Sequence, residues 1–258
     1  MMSESPLPPQ KFSDIRRVNR STYAIVGLIA VVLIALACRS MSEVNDAAMS
    51  TTASGQLCYL GNTMHIYHDI HNHLPGANSP AEVPGGAGKK HLVSWRVRLL
   101  PYIEEQRLSE EYRFDEPWDS PHNAQFVSRM PKAFRHPKSD ALGTPVGFTH
   151  YRVFISKPGA KPSALFTDGL PGPQLGRIAD GTSYTILIVE AAEAVPWTMP
   201  EGLLFDPDGP LPKLGGLTRG KIQGRAVNNA PLAFRSDFPE DKLRAWITID
   251  GGDISYEE

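Results

Sequence analysis

Four histidines crowd one short segment: His65, His68, His71 and His73. Imidazoles three residues apart can line one helix edge, and zinc and copper favour such nitrogen donors. Asp69 offers a carboxylate beside them. Consecutive steps of three drift around a helix, however, and no cysteine or glutamate completes a ligand set. The expected role is therefore a polar helix edge with His68 bonded to the rest of the domain; His65 and His68 are the metal candidates kept from it. Asp206-Pro207-Asp208-Gly209 places two carboxylates at a tight turn, as calcium loops do. It lacks the other ligand positions of an EF-hand, so the plain reading is a solvated turn, with Asp206 and Asp208 the residues that would meet calcium.

Asp180-Gly181-Thr182-Ser183 precedes an apolar run that ends in Glu190. Acid, hydroxyl and acid lie close in sequence, yet there is no Gly-x-Ser-x-Gly elbow and no Gly-rich phosphate loop. The stretch reads as a turn that launches a buried strand. Trp118 and Trp197 stand near acidic residues in FDEPWDSP and AVPWTMPE, a pairing that suits a saccharide or peptide. Buried tryptophans whose ring N–H meets a backbone acceptor are commoner. No motif names a reaction, so neither an enzymatic activity nor a cofactor is expected.

These residues need a scaffold. The 258 residues are 41% hydrophobic and 21% charged, which excludes wholesale disorder. With 22 glycines and 23 prolines the chain favours turns and short elements over a helical bundle. A net charge of −2 offers no broad field for nucleic acid, and two cysteines cannot build a disulfide framework or a four-cysteine zinc site.

The N-terminus carries the strongest compartment signal. Residues 1–22 are polar, with Lys11, Arg16, Arg17 and Arg20 against Glu4 and Asp14, and form the expected cytoplasmic tail. Tyr23–Cys38 follows without a charge. As a helix it spans roughly 24 Å, short of a ~30 Å bilayer core but able to draw on its flanks. The arginines before it keep the N-terminus cytoplasmic and export the rest. Two rival readings stay open: cleavage after Ala35-Leu36-Ala37 that releases the chain, and acylation of Cys38 as in a lipoprotein.

Beyond the anchor, 39–54 reads as a juxtamembrane helix or linker, with a kink or break at the Ser/Thr/Gly-rich stretch Ser50–Gly55. Residues 55–258 form the exported domain. Gly55–Ile70 is helical and stops at Asn72-His73-Leu74-Pro75-Gly76. Asn78–Lys90 is a loop, and His91–Arg107 a short helix broken at Pro101. Ser120 before Pro121 predicts an N-cap. Tyr151–Ser156, Ala164–Thr167, Tyr184–Glu190, Pro231–Phe238 and Trp246–Ile249 read as strands. The fold class is α+β, a long helix packed on a mainly antiparallel sheet. Trp118 is expected to be buried against Gly55–Ile70, with Asp119 or Ser120 capping the next helix.

The strings GQLCYLGNTMHIYHDIHNHLPG, SWRVRLLPYIEEQRL, FDEPWDSPHN, IADGTSYTILIVEAAEAVPWTMPE, FDPDGPLPKLGG and LRAWITIDGGD carry a resemblance. From about Gly55 to Asp253 the chain resembles domain-of-unknown-function family 1559, a planctomycete-type envelope family. The motif positions are Trp95, Asp115, Trp118, Asp119, Asn123, Asp180, Gly181, Glu190, Trp197, Gly215 and Gly216. The resemblance implies a pseudopilin-like build, a lipid bilayer and other envelope proteins as partners, and no established activity; it adds some weight to calcium in the late loop. The family's pilin-type methylation signal is absent, since Asn19-Arg20-Ser21-Thr22-Tyr23 opens the apolar run. Where the family often has a cysteine–proline pair this chain has His136-Pro137, which leaves Cys58 without that partner.

Overall fold

Helix α1 runs from Arg20 to His71 in the computed structural model, which describes residues 20–80, 92–218 and 220–252. Residues 1–19, most of the loop after Pro80 and the last six residues lie outside the described ones. Two compact units divide the chain, Met1–Asn45 and Asp46–Glu258. In the first, every large apolar side chain from Tyr23 to Leu36 is at least 49% exposed. In the second, Ala53, Leu57, Leu60, Met64 and Tyr67 recur at steps of three and four and are buried.

The break expected at Ser50–Gly55 does not occur. Thr51 and Thr52 donate their hydroxyls to the Ala47 and Ala48 carbonyls one turn back and stay within a continuous helix, whose buried stripe begins at Ala53. Packing also starts earlier than the Gly55 boundary: Asp46 pairs with Lys138 and Ser50 accepts from Gln223. Asn72 closes α1 at φ +59°, its N–H bonded to the His68 carbonyl.

β1 (Asn78–Pro80) pairs antiparallel with β2 (Leu92–Ser94). The segment read as one broken helix is instead β2, α2 (Trp95–Arg98), a 3-10 turn at Leu100–Tyr102 and α3 (Gln106–Glu111). β3 (Phe148–Arg152) and β4 (Phe154–Ser156) follow, then β5 (Phe166–Thr167), β6 (Ile186–Pro196), β7 (Leu203–Phe205), β8 (Lys221–Ala226) and β9 (Pro231–Arg235). The main sheet is antiparallel, in the order β3-β6-β8-β9, and β5-β4-β7 form a small parallel sheet. β6 lies inside the main sheet, and Ile186–Ala191 are buried without alternation. On the edge, β9 alternates exposed and buried as a one-sided strand should.

Trp246–Ile249 is not a strand. Trp246 and Ile247 end α4 (Glu240–Ile247), which Pro239 introduces and whose first turn carries Glu240 and Asp241. Those starting residues override the strand preference of Trp-Ile-Thr-Ile. Trp246 packs on Phe234 and Phe238, tying α4 to β9. The architecture is α+β: one long helix whose C-terminal part packs on an antiparallel sheet.

Candidate functional site

His65 and His68 on α1 turn to different partners, whereas His71 and His73 both pack on Tyr67, with their rings 6.1 Å apart. His65 bonds the Val227 carbonyl at 2.7 Å, and His68 Nε2 accepts from the Leu175 N–H at 3.4 Å. His71 bonds the Tyr102 hydroxyl at 2.8 Å and stacks on Tyr67, while His73 bonds the Leu74 carbonyl. Steps of three rotate the His65, His68 and His71 rings to different hydrogen-bond partners. Among the described residues no group of three His, Cys, Asp or Glu is placed to hold a metal.

The Asp206 turn has a resident cation. Arg244 of α4 donates to the Asp206, Pro207 and Gly209 carbonyls at 3.3, 3.0 and 2.6 Å. Asp206 Oδ1 accepts from the Asp208 N–H, an Asx turn. The guanidinium occupies the carbonyls that a calcium ion would use, and its charge opposes a second cation.

Motif residues have structural partners. Asn123 is fully buried at the start of a 3-10 turn, Asn123–Arg129. Its amide donates to the Arg113, Glu116 and Pro117 carbonyls, and its Oδ1 accepts from the Arg113 N–H. Ser120 Oγ accepts from the Asn123 N–H at 3.0 Å, but the helix expected from Pro121 does not form: the element there is the 3-10 turn that begins at Asn123. Asp115 and Asp119 are exposed. Trp118 is half-buried and does not join the core beside α1, which corrects the expectation for it. Its neighbours in sequence, tied down by Asn123, leave it at the rim.

Of these two tryptophans it is Trp197 that is buried. Its ring N–H donates to the Phe126 carbonyl at 2.8 Å and its ring stacks on Phe134, which meets Trp95 edge-on. With no exposed face it offers no ligand platform. Two shallow clefts of ≈ 380 and ≈ 400 Å³ lie elsewhere, and neither is lined by Trp118 or Trp197.

Glu190 and His136 form a fully buried pair, His136 Nε2 to Glu190 Oε1 at 3.0 Å. His136 Nδ1 accepts from the Lys138 N–H, so Nε2 carries the donated proton. Glu190 Oε2 accepts from the Gln223 N–H. Gly215 N–H bonds the Glu190 carbonyl, and a Cβ at Gly215 would crowd the Glu190 side chain. Gly216 adopts φ +76° just after it. Asp180 accepts from the Gly251 and Gly252 N–H groups, with Gly181 at φ +87°. These acids clamp backbone; among the described residues no hydroxyl is bonded to either carboxylate.

Sequence reading missed several buried polar residues. Arg96 is fully buried and donates Nε and Nη2 to the Tyr151 carbonyl, next to the register shift between β3 and β6. Burial holds its guanidinium well below the usual range. Tyr151 donates its hydroxyl to Gln56 of α1 at 2.7 Å, and burial, with Glu190 nearby, pushes that hydroxyl well above the usual phenol range. Burial lowers His150, which bonds the Ala191 carbonyl. Cys58 lies against the Asn62 and Asn229 amides, whereas Gln56 is the residue that reaches the Lys132 and Arg135 carbonyls.

The remaining feature is α1 itself. Its N-terminal apolar stretch has a mean hydropathy of 2.4 and none of it is buried, with Tyr23 and Cys38 both exposed. It is long and apolar enough to cross a membrane. A family model described as a protein of unknown function (DUF1559) matches residues 46–210, which is 165 (210 − 46 + 1) of the 258 residues. The match begins where the second compact unit begins and ends before the LRAWITIDGGD string. No curated protein and no solved structure matches the chain.

Proposed function

The chain belongs to the family described as protein of unknown function (DUF1559), and from that premise we propose that it is a single-pass, membrane-anchored envelope protein with a structural or interaction role. Its N-terminus lies in the cytoplasm and its α+β unit outside, in a pseudopilin-like arrangement. The observation that carries this reading is the contrast within α1. From Tyr23 to Leu36 its apolar side chains are exposed on every face, whereas from Ala53 onward one stripe is buried in the core. An all-round apolar surface of that length is stable in lipid and costly in water. The buried Glu190 and the half-buried Asp180 hold backbone amides and a histidine, which fits a structural role for both.

Alkaline carbonate extraction tests the anchor. The full chain should stay in the membrane pellet, and a variant lacking residues 23–38 should move to the supernatant. Cys38→Ser should stay in the pellet, because the helix rather than an acyl chain holds the protein. Release of the full chain by carbonate would defeat the reading.

A further inference from the structure

The loop between the Lys138 bridge and β3 ends in an apolar tip. From Ala141 to Thr149 it has no ionisable side chain, and Leu142 and Val146 are 47% and 68% exposed. The carboxylates beside the tip are already matched: Asp140 by Arg135, and Asp46 by Lys138 at 2.7 Å. The tip's backbone is largely satisfied as well. Leu142 N–H bonds the Lys138 carbonyl, Gly143 N–H that of Asp140 and Thr144 N–H that of Ser139, and Pro145 has no N–H. An apolar tip with spent amides and neutralised neighbours meets the requirements for entering the lipid interface at low cost.

Covalent reach says which surface is available. Lys138, at the base of the tip, is bonded to Asp46, the first residue of the second unit. Asp46 lies eight residues (46 − 38) from Cys38, the end of the apolar run. That is about 12 Å of helix, and no more than about 28 Å of extended chain. From these observations we infer that Ala141–Val146 is a second membrane contact, dipping Leu142 and Val146 into the interface of the bilayer that holds α1. This rests on the anchored reading above. The occupant of the tip is lipid, and the contact restrains how the exported unit stands on the membrane.

The test uses the full chain in phosphatidylcholine vesicles that contain a lipid with a diazirine on its acyl chain. After illumination, trypsin cuts at Arg20, Arg39, Lys138 and Arg152 separate the anchor (residues 21–39) from the tip (residues 139–152). Lipid adducts should appear on both peptides. In a Leu142→Asp, Val146→Asp double variant the adduct on 139–152 should be lost while that on 21–39 stays, which also shows that the variant is still inserted. Labelling of 21–39 with none of 139–152 would assign the tip to water or to a protein partner and overturn the inference alone. An adduct on 139–152 that survives the double substitution would overturn it too. Absence of label from both peptides would overturn the anchor as well.

Discussion

Asn123 supplies the partners that hold the Arg113–Pro117 loop, four hydrogen bonds in all. Removing its amide takes the partner from the Glu116 carbonyl and the Arg113 N–H in a buried place, while the Arg113 and Pro117 carbonyls keep the Glu116 and Ser120 N–H groups. Asn123→Ala should therefore cost about 3 kcal/mol. Trp118→Ala removes a half-buried side chain and should cost well under the ~3–5 kcal/mol of a core tryptophan, a value that Trp197→Ala should approach. Thermal melts of the detergent-solubilised full chain rank the three variants; a larger loss for Trp118→Ala than for Asn123→Ala would reverse the assignment. His150 adds a pH signature. Burial holds its folded-state pKa below the ordinary 6.5. Below pH 6.5 the unfolded chain takes the proton and the folded chain resists it, so stability falls as the pH drops from 6.5 to the folded-state value. His136 and Glu190 face the same pocket. His150→Asn keeps a donor for the Ala191 carbonyl and should flatten the decline in melts taken from pH 8 to 5. An unchanged decline would place the titration elsewhere.

At the scale of elements, glycines set where backbones can meet. Gly147 leads into β3 at φ +83°, and a Cβ there would overlap the Val127 carbonyl. The contact is backbone on both sides, so neither partner can swing away. Gly147→Ala should destabilise by about 2 kcal/mol or more from backbone overlap added to the positive-φ strain, whereas Gly159→Ala, with a similar φ but open space, should cost less. Comparable losses at the two positions would show that packing is not what Gly147 protects. The same scale shows what the sequence made legible. The α1 stop was readable because Asn72 and Pro75-Gly76 act locally. β6 was readable because an unbroken apolar run has few other homes. β8 was not, because Lys221, Gly224 and Arg225 dilute its pattern; its burial comes from Glu190, Ser54 and neighbouring strands far away in sequence. Asn123 and Glu190 stood out as motif positions, but their jobs did not, since the partner of Glu190 is His136, 54 residues away.

At the scale of the whole molecule the decisive quantity is charge on either side of an apolar helix. Lys11, Arg16, Arg17 and Arg20 precede Tyr23, and Arg39 is the basic residue that follows Cys38, paired along the helix with Glu43. Basic residues near a span resist translocation, and their excess on one flank sets orientation. Membrane potential and anionic lipid both act on that excess, so the four basic groups outweigh the single arginine beyond the helix. Protease added to intact spheroplasts should therefore digest the Asp46–Glu258 unit and leave a small membrane-bound fragment that contains residues 1–38. Reversing the bias should reverse the result: replacing Arg16, Arg17 and Arg20 with glutamine while adding lysines at Ser40 and Ser42 should protect the folded unit in a measurable fraction of molecules. A parent unit that resists protease in spheroplasts but yields to it once they are lysed would place the α+β unit in the cytoplasm. That outcome would defeat the exported arrangement while leaving the anchor in place.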